Sequence, residues 1–127
     1  MIPRFITALL EGKPPVVYGD GVQSRDFTYV ENVVNANLLA SEAEGVAGRV
    51  FNVACGGRYS LLDLLAKIKG LIGSDIEAIH EAPRAGDVRD SQAAIEAAEQ
   101  GLGYHVSIDF EEGLRRTVDW YRGPSLQ

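Results

Sequence analysis

The residues best suited to chemistry lie in one stretch of thirteen, Tyr18-Gly19-Asp20-Gly21-Val22-Gln23-Ser24-Arg25-Asp26-Phe27-Thr28-Tyr29-Val30. An arginine fork sits here between aromatics and a glycine turn. The Arg25 guanidinium can meet a phosphate through two parallel, charge-assisted hydrogen bonds. Tyr18, just before the turn, can lie flat under an aromatic base. The plainer alternative is a β-turn in which Arg25 pairs with its neighbour Asp26, an exposed ion pair worth little. A second stretch, Pro83-Arg84-Ala85-Gly86-Asp87-Val88-Arg89-Asp90, offers another fork in Arg84 and an acceptor for vicinal hydroxyls in Asp87. Gly86 would let a ligand come close to the backbone. The alternative is a charged surface loop.

Other polar residues carry less. Asn52 interrupts the apolar run Val50-Phe51-Asn52-Val53-Ala54. A buried amide needs partners, so Asn52 either bridges backbone groups or faces a ligand. Cys55 has no His or second Cys to activate it and reads as a small apolar residue. His80 and His105 lack ligand-like spacing and read as structural or exposed, and no carboxylate or histidine cluster suggests a metal. There is no G-x-G-x-x-G dinucleotide fingerprint, no phosphate-binding P-loop and no G-x-S-x-G elbow. None of Tyr18, Tyr29, Tyr59, Tyr104 and Tyr121 has a lysine four residues on, so a reductase-type Tyr-x-x-x-Lys dyad is missing.

The elements that must position these groups follow from periodicity. Residues 4–11 predict a helix with Phe5, Ile6, Leu9 and Leu10 on one face, stopped by Gly12 and Pro14-Pro15. Val16–Tyr18 predicts a strand, Gly19-Asp20-Gly21 a turn and Phe27–Val30 a second extended piece. A helix is expected over 31–43, buried through Val33, Val34 and Ala36-Asn37-Leu38. The run 50–54 predicts a buried strand. Ser60 is a good N-cap for a helix over 61–72 with stripe Leu61, Leu65, Ile68 and Ile72, ended by Gly73. Ile76–His80 predicts a strand, 82–90 a polar loop and 92–100 a helix. Asp109 and Glu112 form a capping box for a last helix to about 121, facing inward through Phe110, Leu114, Val118 and Tyr121. The class is α/β or α+β, with short strands interleaved with helices. One domain is expected over 1–122, with a frayed, flexible tail over 123–127.

Composition agrees with a folded domain. The chain has 127 residues, 46% hydrophobic and 24% charged, near the averages for globular proteins. That length can bury roughly two thirds of the unfolded surface. One cysteine suits the cytosol. A net charge of −6 without a basic stripe argues against nucleic acid as a partner. No apolar run approaches the ~18 residues of a membrane span, and no signal-peptide core is present. A cytoplasmic location, with neither nucleic acid nor membrane as partner, is the expectation.

The spaced set Gly19-Asp20-Gly21-x-Gln23-x-Arg25-Asp26-Phe27-x-Tyr29-Val30, Phe51-Asn52-Val53, Arg84-x-Gly86-Asp87-Val88, Leu102-Gly103-Tyr104 and Glu112-Gly113-Leu114 resembles the C-terminal part of the extended short-chain dehydrogenase/reductase family. These are NAD-dependent nucleotide-sugar epimerases and dehydratases. The motifs run in order along nearly the whole chain, and Tyr29–Val34 looks like the branch of UDP-glucose and UDP-N-acetylglucosamine 4-epimerases. The resemblance implies the small substrate-binding domain, with the Rossmann half, its glycines and its catalytic dyad lying upstream. By the same resemblance Tyr18 flanks the base, Arg25 and Arg84 hold the diphosphate, Asp87 holds the ribose and Asn52 lies near the same pocket. NAD would serve the full-length parent and is not expected on this chain alone. A UDP-sugar and the missing Rossmann half are the implied partners, and a homo-oligomer is admitted. Two departures stand out. Cys55 replaces a small glycine-like residue. Ala94 stands where an aspartate caps the next helix, leaving Ser91 to cap it.

The reaction implied is oxidation of the sugar C4 hydroxyl, rotation of the keto sugar and return of the hydride to its other face. This segment would supply binding and orientation but none of the reacting groups. A dehydratase or decarboxylase on the same scaffold is the alternative reaction. A stand-alone nucleotide-sugar-binding or interaction module is the alternative class. Met1 falls just before a helix that the family embeds mid-chain, so a truncated or misassigned start is the expectation.

Overall fold

The computed structural model describes residues 1–123. The expected tail beyond Gly123 lies outside the described residues. Helix α1 (Ile2–Leu10) begins with Pro3, whose fixed φ suits a first helical turn, and buries Phe5, Ile6 and Leu9. The chain then forms β1 (Val16–Tyr18), β2 (Ser24–Arg25) and α2 (Val30–Glu42). After a long irregular segment come β3 (Tyr59–Ser60), α3 (Leu61–Ile72), β4 (Ile79–Glu81), α4 (Glu96–Leu102) and α5 (Phe110–Arg122). The mixed class of short strands among helices is as expected.

Two small sheets carry the polar loops. β1 pairs parallel with β4, Val17 opposite His80. β2 pairs antiparallel with β3, Ser24 opposite Ser60, and Ser24 also bridges to Asp90. Gly21 turns the chain between β1 and β2 at φ 79°, a conformation that costs glycine nothing. A Cβ there would stand 2.7 Å from a methyl of Leu62, so the turn is also a close approach to α3.

Helices α1, α3 and α5 bury the main core. Ile6, Leu64 and Ile68 are fully enclosed, with Val17, Phe110, Leu114 and Val118 around them. The capping box expected of α3 is present: Ser60 Oγ accepts from the Asp63 N–H, and the Asp63 carboxylate accepts from the Ser60 N–H. At α5 only half of the expected box forms. Asp109 accepts from the Glu112 N–H, while the Glu112 carboxylate is taken by Arg115 and Arg116. A second, smaller core of Ala36, Ala98, Leu102 and Tyr104 lies between α2 and α4, with Phe51 and Val53 against it.

Five local expectations are corrected. The run 50–54 is not a strand, because no strand lies beside it among the described residues. Phe51 and Val53 turn inward while Val50 and Asn52 are exposed. Helix α2 docks through Asn32 and Ala36 instead of through its valines; Val33, Val34, Asn37 and Leu38 face outward. The fourth strand begins three residues later than expected and ends one later, pinned at the entry to β1 by Ile79 N–H donating to Pro15 O. The extended piece after the turn pairs at Ser24–Arg25, and 27–29 forms no ladder. Finally, Ser91 caps nothing. Its N–H donates to Ser24 O, so the chain is still held to the sheet, and α4 starts only after Ile95.

Candidate functional site

The turn between β1 and β2 is fastened to the start of α3. Gly21 O and Gln23 O accept from the N–H groups of Leu62 and Leu61, satisfying donors that a helix N-terminus leaves unpaired. From this anchored turn the polar side chains reach across to the loop 82–90. Arg25 does not pair with Asp26. Its Nη2 lies 2.6 Å from Asp87 Oδ1, and its Nη1 donates to Ser24 O at 2.7 Å. Asp26 is spent elsewhere, accepting from the N–H groups of Cys55 and Gly56 at 3.0 and 2.9 Å. Both partners of the Arg25–Asp87 pair are largely shielded, their side chains 23% and 30% exposed.

Arg84 takes a different post. Its guanidinium carbon lies 4.3 Å from the centre of the Tyr18 ring, covering one face of it. Tyr18, Gln23, Arg84 and Asp87 together border two hollows. The larger, about 300 Å³, is closed on its other sides by Arg4, Phe5, Val17 and Leu61. The smaller, about 170 Å³, lies toward Asp20, Val88 and Arg89. Asp20 and Asp90 are held below the ordinary carboxylate range. For Asp20 the main cause is the Val22 N–H, helped by Arg89. For Asp90 it is the Ser24 hydroxyl. A third hollow of about 200 Å³ lies among Ile2, Phe27, Tyr29, Phe110 and Leu114. It carries no cation to meet an anion.

Four of the five expected site residues are therefore drawn together. Tyr18, Arg84 and Asp87 line one cavity, and Arg25 joins it through Asp87. Asn52 is not among them; it is exposed and borders neither hollow. Two polar residues escaped the sequence reading. Gln23, 6% exposed, donates from Nε2 to Tyr18 O and Asp87 Oδ2. Asn32, fully buried, donates to Ile108 O and accepts from the N–H groups of Ser107 and Ile108. Gln23 stood inside the densest motif, and that position was its only signal. Asn32 looked like one more polar residue at the start of a helix. Cys55 is half-buried, and burial, then the charge of Asp26, pushes its thiol up. That shift disfavours the thiolate, the form in which a cysteine acts as a nucleophile. His80 is exposed, with Nδ1 2.8 Å from Gly19 O.

Comparison with known proteins agrees with the motifs. The model of the NAD dependent epimerase/dehydratase family matches residues 1–54. A putative UDP-glucose 4-epimerase of Methanocaldococcus jannaschii is 38% identical over 96% of this chain and 39% of its own length. The UDP-glucose 4-epimerase of Thermotoga maritima, solved with UDP-glucose, superposes with a TM-score of 0.91 at 36% identity, covering 95% of this chain and 38% of that one. The UDP-N-acetylglucosamine 4-epimerase of Methanobrevibacter ruminantium, solved with UDP-N-acetylmuramic acid, gives a TM-score of 0.89 at 40% identity over 96% of this chain and 39% of that one. The similarity to NAD-dependent epimerases and dehydratases is thus shown in both sequence and fold. The chain spans about 39% of the length of the Methanocaldococcus jannaschii relative and about 40% of a second, the UDP-glucose 4-epimerase of Mycolicibacterium smegmatis. Among the described residues no helix is long and apolar enough to cross a membrane.

Proposed function

We propose that this relative of the NAD-dependent epimerases and dehydratases is the segment that holds the nucleotide of a UDP-sugar in a 4-epimerase. The observation that carries the proposal is the convergence of Tyr18, Arg84 and Asp87 on one cavity, with Arg25 tied to Asp87. A guanidinium has five N–H donors, so two bonds to Ser24 and Asp87 leave Arg25 able to meet a phosphate as well. Arg84 must leave the Tyr18 ring to do the same. An exposed cation–π contact is worth about 0.5–1 kcal/mol, whereas a charge-assisted hydrogen bond is worth about 1.5–3, so the phosphate wins. The departure of Arg84 also uncovers the ring face for the base. Asp87 then accepts from the ribose hydroxyls. Asn52 stands outside this constellation, and its substrate contact is carried by the resemblance alone.

The residues present do not fit a dinucleotide. The Gly19–Gly21 turn runs into β2, whereas a pyrophosphate cradle needs a glycine turn that opens a helix. Any redox step therefore belongs to the remaining length of the enzyme, which we propose packs on the outward face of α2. A dehydratase or decarboxylase would use the same nucleotide contacts.

Calorimetry with UDP and with uridine, on the whole natural polypeptide that contains these residues, tests the reading. Arg25→Ala or Arg84→Ala should weaken UDP about ten- to a hundredfold and uridine little. Lysine should rescue only in part, because a point charge cannot reproduce the planar fork. Unchanged UDP affinity in both alanine variants would overturn the phosphate assignment.

A further inference from the structure

The loop that carries Asp87 is tied at its two ends, where Gly19 N–H donates to Glu81 O and Ser24 N–H donates to Arg89 O. Between those ties the loop runs over the surface, and Gly86 turns the chain at φ 78°. Yet the Asp87 carboxylate has both oxygens engaged. Oδ1 accepts from Arg25 Nη2 at 2.6 Å, and Oδ2 accepts from Gln23 Nε2 at 3.2 Å. Gln23 is itself fixed. It is buried, its carbonyl accepts from Leu61 N–H at 3.1 Å, and the same Nε2 donates to Tyr18 O at 2.9 Å. Both neighbours of this amide are acceptors, so it must present its NH₂ group to them.

We propose that Gln23 is a positioning residue, which aims the Asp87 carboxylate so that its two remaining acceptor sites meet a cis-diol. The proposal rests on the reading of Asp87 as the ribose contact. A carboxylate offers about four lone-pair directions. Arg25 and Gln23 each occupy one on a different oxygen, which leaves one on each oxygen for two adjacent hydroxyls. Arg25 alone leaves the carboxylate able to rotate about its Cβ–Cγ bond. The second donor removes that freedom, and it ties the carboxylate to the strand that carries Tyr18. Base platform and sugar contact thus share one rigid support. Glutamate at position 23 would keep the size but set an acceptor against Tyr18 O and Asp87 Oδ2. Methionine would keep the length and remove both donors.

The test measures the affinities of UDP and of 2′,3′-dideoxy-UDP in the whole natural polypeptide, for the wild type, Gln23→Met, Gln23→Glu and Asp87→Ala. The wild type should prefer UDP by about tenfold or more, the scale of hydrogen bonds to a charged acceptor. Gln23→Met and Gln23→Glu should bring the preference close to that of Asp87→Ala, with dideoxy-UDP affinity within about twofold of wild type. A merely structural role would weaken both nucleotides alike and leave their ratio unchanged, and that result would overturn the proposal. A wild type that does not distinguish the two nucleotides would instead overturn the ribose reading of Asp87, and this inference with it.

Discussion

At the scale of single residues, the two buried amides divide the labour between site and scaffold. Gln23 lines the cavity, whereas Asn32 does not border it. Asn32 satisfies the N–H groups of Ser107 and Ile108 and the carbonyl of Ile108, so it locks the start of α2 to the segment entering α5. Asn32→Ala would deprive three backbone groups of this partner in a partly buried segment. A buried group left unmet costs about 1–3 kcal/mol and water can reach Ser107, so a loss of about 1–3 kcal/mol is expected. Chemical denaturation reads this directly, and a loss below about 1 kcal/mol would show that water replaces the amide. Asn32→Asp should be little better, since a carboxylate cannot donate to Ile108 O.

At the scale of elements, α5 carries a titratable clasp. Glu112 binds Arg115 one turn on and Arg116 beside it, and Arg116 reaches on to Glu31 of α2. These arginines, Arg115 first, draw the Glu112 carboxyl down from 4.5 to about 2. The folded pKa is depressed, so the stabilisation is complete above the unfolded value. It is lost as pH falls from about 4.5 toward 2. Glu112→Gln should remove that pH dependence, so the variant is less stable than the wild type at pH 7 and converges on it toward pH 2, by a small margin because exposed pairs are heavily screened. Circular dichroism against pH checks this, and a variant curve parallel to the wild type would dismiss the clasp.

At the scale of the whole molecule, the described residues leave an apolar surface uncovered. Val30, Val34 and Leu38, each four residues apart on α2, are 64%, 49% and 61% exposed, and Val50 is 91% exposed. The outward face of α2 is the one on which we propose the remaining length of the parent packs. Residues 1–127 expressed alone should therefore self-associate or bind a hydrophobic dye. A Val34→Glu, Leu38→Lys double variant should reduce both signals. A sharp monomer peak without dye binding would argue for a self-sufficient module.

Local rules settled much of this protein from the sequence alone. Ser60 and Asp63 cap α3 and Gly73 ends it, because capping and left-handed turns depend on residues only a few positions apart. The cluster of Tyr18, Arg25, Arg84 and Asp87 was legible as two motifs with a shared chemistry. What joined them was decided only in three dimensions. Arg25 had Asp26 beside it in sequence and chose Asp87 sixty-two positions away, because Asp26 is consumed by the backbone of Cys55 and Gly56. The inward face of α2 was misread for a similar reason. A valine-rich helix looks buried by composition, but which side is covered depends on what the chain brings beside it. In this chain that is the Asn32–Ala36 side, held by Ser107, Ile108 and α4. Burial and pairing are properties of neighbours distant in sequence, and only the tertiary structure assigns those neighbours.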